Sequence, residues 1–507
     1  MTDGHTGGRV GGHGDRRILH LGLGNFHRAH QALYTEDAGR FGDPWTITGV
    51  AGSTRGVVAA LRRQRMRYSV VTLGPGQTDV RVVGSITDAF VAADEPGRTT
   101  DEIADPATRV VSLTVTEKGY GISARSRGLD LDAPGIRHDL AGGPPRSTVG
   151  RLAAGLLRRC RTSAAPVTLL SCDNLTANGT TLAGLLRDFA GAMPARDGAE
   201  LLGFLDDAVT CPDTMVDRIV PATTGEHRRL AAEAGFHDDV PVPAEPFTMW
   251  VMRDSFAAGR PAWQEAGAVL TDRVQDYETV KVRLLNGTHS LLACLGLLTG
   301  HDLIADAAAD PVIARAAARL GDEYEATLVL PDGFDVAAYR RQLGERFANR
   351  RLAHATAQVA ADGSLKLAQR VPDAALWHMR RGRLPATLAL TVAAWLKCLA
   401  HPDRLPGGGG RAPADPNAAR LRALGERAAG GGTPARRGRD LALLCLQEEA
   451  LLGRELGERT EFVTAVGELL AELERGGVPA AVEATSGSGP SAGGHGGGGP
   501  AVPSGGP

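Results

Sequence analysis

The run Tyr277-Glu-Thr-Val-Lys-Val-Arg-Leu-Leu-Asn-Gly-Thr-His289 holds a glutamate, a lysine, an asparagine and a histidine within twelve residues. Wound as a helix at about 100° per residue, Val280, Leu284, Leu291 and Leu295 form one apolar stripe, while Glu278, Lys281, Asn286 and His289 share a separate arc of roughly 140°. That arc offers a proton acceptor (Lys281), an amide able to donate to a developing oxyanion (Asn286), an imidazole (His289) and a carboxylate (Glu278). Together these are the side chains needed to deprotonate an alcohol. A solvated helix face carries the same residue types, so the segment gains meaning only from what surrounds it. Gly287 costs a helix about 1 kcal/mol against alanine, and its place beside Asn286 points to something packed close to the backbone.

The elements that must position these groups begin near the N-terminus. Arg17-Ile-Leu-His-Leu-Gly-Leu-Gly-Asn-Phe-His-Arg-Ala-His30 is a short apolar strand running into Gly22-x-Gly24 and a helix-like segment. The first turn of a dinucleotide fold has this form. Gly22 permits the tight turn, Gly24 lets the backbone approach a pyrophosphate, and the helix start at Asn25 and Phe26 supplies N–H groups and positive dipole. Arg28 is a further phosphate partner, and His27 stands where the third glycine of G-x-G-x-x-G would be.

Trp45 to Ala51 reads as a second strand, but Gly52-Ser-Thr-Arg55 follows instead of the acid that commonly holds the ribose of NAD. An arginine and two hydroxyls suit a 2′-phosphate equally, so NAD and NADP both stay open. Further β-rich runs, Arg109 to Thr116 and Pro166 to Cys172, alternate with helical patterns at 148–162 and 180–191. This is the signature of a parallel sheet, whose strands deliver polar loops to a ligand at their C-terminal ends. Asn174 and Asn178 lie on such a loop and are site candidates, with an Asn-Gly turn as the alternative for Asn178. Asp217 and Arg218 are adjacent charges inside an otherwise apolar segment.

At 507 residues the chain exceeds one core. We divide it into a disordered tail (1–14), a dinucleotide-binding domain (15–238), a mainly helical substrate domain (239–480) and a Gly/Ser/Pro tail (484–507). Residues 404–437, rich in glycine, read as a long surface insertion. The fold class is α/β with an appended helical domain. A net charge of −2 gives no broad attraction for nucleic acid or anionic lipid, which favours a small-molecule partner. No apolar run is long enough for a membrane helix, and the first residues lack an apolar signal core, so a cytoplasmic protein is expected. The oligomeric state is unreadable, and a monomer is compatible with the sequence. The six cysteines form no Cys-x-x-Cys pair, so neither a disulfide framework nor a zinc site is expected.

Four ordered motifs then agree with one family. His20 to His30, Cys172-Asp-Asn-Leu-x-x-Asn-Gly179, Thr214-Met-Val-Asp-Arg-Ile219 and Lys281-x-x-x-x-Asn286-x-x-His289 resemble the mannitol dehydrogenase family of long-chain polyol dehydrogenases and hexuronate reductases. The likeness spans about residues 16 to 475 and includes Thr116-Glu-Lys-Gly-Tyr120 and Asp362-Gly-Ser-Leu-Lys366. It implies a Rossmann domain, a helical C-terminal domain, a substrate cleft between them, and metal-independent, NAD(P)-dependent interconversion of a linear polyol or aldonate with its ketose or ketouronate. NAD is slightly favoured by the resemblance. In that scheme Lys281 is the general base, Asn178 and Asn286 form the oxyanion hole, and His289 orients the substrate. Asp217 and Lys366 contact it, and Glu117 or Glu278 belongs to the proton path. Gln358 stands where an arginine is expected in enzymes acting on mannitol, which opens the choice to a fructuronate or a mannitol-1-phosphate.

Two rival readings are set aside on stated grounds. Tyr277-x-x-x-Lys281 also matches the Tyr/Lys pair of short-chain dehydrogenases, but the glycine pattern differs. A non-catalytic nucleotide-binding regulator would have no need of Lys281, Asn286 and His289 in this spacing.

Overall fold

The computed structural model describes residues 16–487 except 43, 124–127, 409, 411 and 431. The expected tail at 1–14 and most of that at 484–507 lie outside the described residues. At the C-terminal end order extends further than expected, because Thr485 is buried and donates to the Val482 carbonyl at 2.7 Å.

The chain divides into two compact units, Met1–Lys281 with Leu328–His354, and Val282–Thr327 with Ala355–Pro507. The boundary therefore falls beyond the expected 238/239. Strand pairing explains the difference: Val242–Ala244 pairs with Tyr68–Leu73, and Met249–Met252 pairs with Thr214–Asp217, which ties this stretch to earlier strands.

In the first unit a six-stranded, all-parallel sheet runs in the spatial order Ile86–Val91, Thr46–Ala51, Arg17–Leu21, Thr108–Leu113, Val167–Ser171, Val209–Thr210. The order reverses beside Arg17–Leu21, and this is the edge at which parallel sheets bind ligands. Both faces are covered, which is why the strands read as continuous apolar runs. Ile18, Ile47, Val110 and Leu170 pack into one core, whereas Leu19, Val50, Val111 and Leu169 pack into the other, as the two-residue period of a strand requires. Helix Thr148–Thr162, expected at those limits, is capped by Ser147 Oγ accepting from Gly150 N at 2.9 Å.

The second unit is helical among its described residues. Helix Ala386–Ala400 buries every residue except Lys397, the pattern of a helix surrounded by others. The expected surface insertion instead contains helices Ala418–Ala428 and Pro434–Leu446. Gly425 within it allows close packing on helix Ala386–Ala400, since a Cβ there would lie 2.8 Å from the Ala400 carbonyl oxygen. The helix expected over 278–299 is three pieces: Val274–Val280, a π-helical stretch Lys281–Gly287, and Thr288–Thr299. The apolar stripe holds nonetheless, with Val280, Leu284, Leu291 and Leu295 all buried.

Candidate active site

The first strand ends in a turn that only glycine can make. Gly22 has φ +102°, and a Cβ there would sit 2.0 Å from the Thr114 carbonyl oxygen. Gly24 then leads in extended conformation into helix Asn25–Ala29. Arg28 is placed inside the turn. It is 3 % exposed, donates to the carbonyls of Val240 and Gly24 and to Asn25 Oδ1, and lies over the Tyr68 ring, so it braces the turn from inside and does not reach outward to a phosphate. Asn25 is tied to Thr223 Oγ1 at 3.3 Å, and Phe26 stacks on His30 at 5.0 Å. The turn thus offers a ligand mainly its backbone. His27 lies flat against His20 at 3.4 Å and 11°, filling with a ring the place a third glycine would leave empty. Burial pushes His20 down to about 3, so it stays neutral, bonded to Ser112 Oγ at 2.8 Å and Thr114 Oγ1 at 2.9 Å.

The loop after strand Val167–Ser171 organises the next part of the same edge. Asp173 accepts from the amides of Val115 and Thr116 at 2.9 Å each and from the Tyr120 hydroxyl at 2.8 Å, fixing the turn that Glu117 opens. Glu117 itself is exposed there. Asn174 Oδ1 accepts from Lys281 Nζ at 2.6 Å, and the Val216 carbonyl accepts from the same amine at 2.5 Å. Lys281 is 7 % exposed, so its amine is held out of bulk water, as a lysine base requires. One turn earlier on the helix, Glu278 Oε2 accepts from Ala177 N at 3.3 Å, and burial raises its pKa against the opposing pull of that amide and of Lys281.

Asn178 lies deeper in the same loop. Its Nδ2 lies within 3.0–3.1 Å of the Ser171 carbonyl, the Asp173 carbonyl and Thr214 Oγ1, and its Oδ1 accepts from Thr214 N at 2.8 Å. The fully buried carboxamide is a frame for the loop, with its N–H groups already directed into protein. Nor is Asn178-Gly179 a tight turn: it opens helix Asn178–Ala192, and a Cβ on Gly179 would meet the Cys211 and Pro212 carbonyls at 2.4 Å. Asn174 is the carboxamide beside the amine.

Asp217 is paired with a buried arginine. Both its carboxylate oxygens take N–H bonds from Arg346 at 2.8–2.9 Å, and Arg346 also reaches both oxygens of Glu245 at 2.7–2.8 Å. The triad is buried, with Asp217 3 % exposed, so its oxygens face an arginine and not a sugar. Arg346 gave no signal in the sequence, because an arginine on an amphipathic helix reads as a solvated charge.

In the second unit, Asn286 is the last residue but one of the π-helical stretch, and His289 is buried in the first turn of the helix that follows. Asn286 Oδ1 is sealed from solvent with no hydrogen-bond partner among the described residues. Gly287 answers to its sequence hint: a Cβ there would lie 2.4 Å from the Tyr324 ring. Lys366, half-buried on helix Gly363–Arg370, donates to the Val359 carbonyl at 3.1 Å. No group of three or more His, Cys, Asp or Glu side chains suited to a metal ion occurs among the described residues, and none of their helices is long and apolar enough to cross a membrane.

Known proteins share this arrangement over both units. Residues 16–265 match the mannitol dehydrogenase Rossmann domain and residues 273–473 the mannitol dehydrogenase C-terminal domain. The D-mannonate oxidoreductase of Escherichia coli is 40 % identical over 391 residues, 76 % of this chain and 80 % of that protein. The polyol:NADP oxidoreductase of Gluconobacter oxydans is 35 % identical over 77 % of this chain and 81 % of its own. The ternary complex of Pseudomonas fluorescens mannitol 2-dehydrogenase with NAD and D-mannitol superposes with a TM-score of 0.81 at 33 % identity, covering 92 % of this chain and 94 % of that one. On sequence and on fold, the chain belongs to the mannitol dehydrogenase family.

Proposed function

We propose that this protein catalyses reversible hydride transfer between a secondary alcohol of a linear polyol or aldonate and NAD(P), with Lys281 as the base. As a member of its family the chain is an NAD(P)-dependent oxidoreductase acting on a CH–OH group. The observation that carries the residue assignment is the Lys281 amine, buried and held by Asn174 and Val216 at the ligand-binding edge of a parallel sheet.

An alcohol is a poor hydride donor until its proton leaves. In this scheme Lys281, buried and held by two carbonyl-type acceptors, accepts the hydroxyl proton. Asn286, five residues along the same helical run, presents an N–H₂ that stabilises the alkoxide-like oxygen without titrating itself. Asn174 turns its Oδ1 to Lys281, and its N–H₂ is a second donor in the role first given to Asn178. His289 orients the substrate, Lys366 contacts it, and Glu278 or Glu117 passes the proton onward. The bare turn at Gly22 and Gly24 and the polar loop Gly52 to Arg55, at adjacent strand ends, fit a dinucleotide. NAD(P) held there supplies the hydride acceptor. We place the reaction in the cytoplasm.

Within this class an aldonate is favoured over mannitol by the 40 % identity to a D-mannonate oxidoreductase, together with Gln358 at the position where mannitol enzymes are expected to have arginine. Tyr277 packs edge-on against Phe334 at 5.7 Å, and Tyr277→Phe is expected to leave turnover unchanged. The test is a panel of ketoses, ketouronates and phosphorylated ketohexoses with NADH and NADPH, followed by absorbance. Oxidation of a reduced nicotinamide by a ketouronate or ketose is expected; silence across the panel contradicts the reading.

A further inference from the structure

Asn286 is the last residue but one of the π-helical stretch Lys281–Gly287, and the second unit closes around that residue's backbone in a way the proposed reaction does not account for. Nη1 of Arg370 donates to the Asn286 carbonyl at 2.9 Å and to Ser290 Oγ at 2.5 Å, while Ser290 Oγ itself donates to the Asn286 carbonyl at 3.2 Å. Arg370 is the last residue of helix Gly363–Arg370 and is held in turn, since the Tyr324 hydroxyl donates to its carbonyl at 3.1 Å. Tyr324 is fully buried, and its ring lies where a Cβ on residue 287 would fall. One tyrosine therefore contacts the peptide after Asn286 through its ring and fixes the arginine that grips the Asn286 carbonyl.

A helix does not need a guanidinium on an interior carbonyl to remain a helix. A π-helical stretch is uncommon, occurs mostly at functional sites, and alters the hydrogen-bond ladder where it ends. A cation drawn to that carbonyl holds the wider winding in place, and charge-assisted bonds are about twice as strong as neutral ones. The winding decides where the Asn286 side chain leaves the helix, and hence where its N–H₂ points. An oxyanion donor must sit 2.7–3.1 Å from its target, and a misplacement of about 1 Å can cost roughly 100-fold in rate.

We propose that Arg370 is a positioning residue for Asn286: its guanidinium clamps the end of the π-helical stretch so that the Asn286 N–H₂ is aimed at the reacting oxygen. This rests on the oxyanion role given to Asn286 above. Arg370→Gln should lower kcat by about 10- to 100-fold with KM little changed, and Arg370→Lys, which keeps a cationic donor, should recover much of the loss.

The deciding experiment is a double-mutant cycle with Asn286→Ala, read as kcat and as the primary isotope effect with substrate deuterated at the reacting carbon. The clamp predicts that Arg370→Gln, damaging alone, has little further effect on kcat once Asn286 is alanine. Additive losses, or a loss confined to KM or to thermal stability, overturn it. If Asn286→Ala itself leaves kcat intact, the oxyanion reading fails and the clamp fails with it. If Asn286→Ala is damaging and the cycle is additive, only the clamp fails. Should Arg370→Gln not fold, the same cycle with Tyr324→Phe asks the question through a smaller change.

Discussion

Two buried cations of the first unit, Arg346 and Lys281, meet neighbouring residues of one strand and are handled in opposite ways. Arg346 grips the carboxylate of Asp217 and adds Glu245, while Lys281 donates to the carbonyl of Val216 and to the carboxamide of Asn174. Burial alone would lower the Arg346 pKa, but two carboxylates outweigh it and the net shift is upward, so this cation is permanently charged. The Lys281 amine is held instead by a carbonyl and a carboxamide, with the charge of Glu278 acting on it. The first cation ties elements together through two carboxylates; the second is held by a carboxamide on the loop that follows strand Val167–Ser171.

The largest break in that comparison is Arg346→Leu. It leaves Asp217 and Glu245 buried without their cation, and the first unit should lose about 3–5 kcal/mol in denaturant unfolding. A loss under about 1 kcal/mol would mean the triad is hydrated and not closed. Next in size, Asn174→Ala should cut kcat roughly 100-fold at unchanged stability, because it removes a donor from the reacting oxygen and an acceptor from the amine. Asn178→Ala should do the reverse, lowering unfolding stability by about 1–3 kcal/mol through its unsatisfied partners, with turnover falling less. If the two variants exchange these phenotypes, the original oxyanion assignment to Asn178 is restored.

The smallest effect sharpens the comparison from the other side. Glu278 lies one turn before Lys281, and the two charges act on each other. Glu278→Gln removes the carboxylate proposed for the proton path, so kcat of alcohol oxidation should fall, by less than in Asn174→Ala; unchanged turnover would take Glu278 out of the path.

The course of the sheet was legible in the sequence because a strand buried on both faces must be continuously apolar, and runs such as Val167–Ser171 are. The spacing of Lys281, Asn286 and His289 was legible too, as was the burial of the apolar stripe beside them. What escaped was whatever depended on contacts distant in sequence. Arg28 reads as a phosphate ligand until Val240, more than two hundred residues away, is seen to accept from it. Asn174 and Asn178 are equivalent on paper and differ only in that Thr214 engages one and Lys281 the other. Helical periodicity placed four polar residues on one arc, but the π-helical stretch changes the winding within that arc, and no pattern of residue types reported it.

The central claim is that the buried Lys281 amine accepts the alcohol proton, and Lys281→Ala tests it most directly. With NADH binding followed by fluorescence and turnover by absorbance, the variant should bind coenzyme nearly as before and lose turnover, and small primary amines should restore part of the rate. A variant that keeps most of its turnover without added amine would contradict the account.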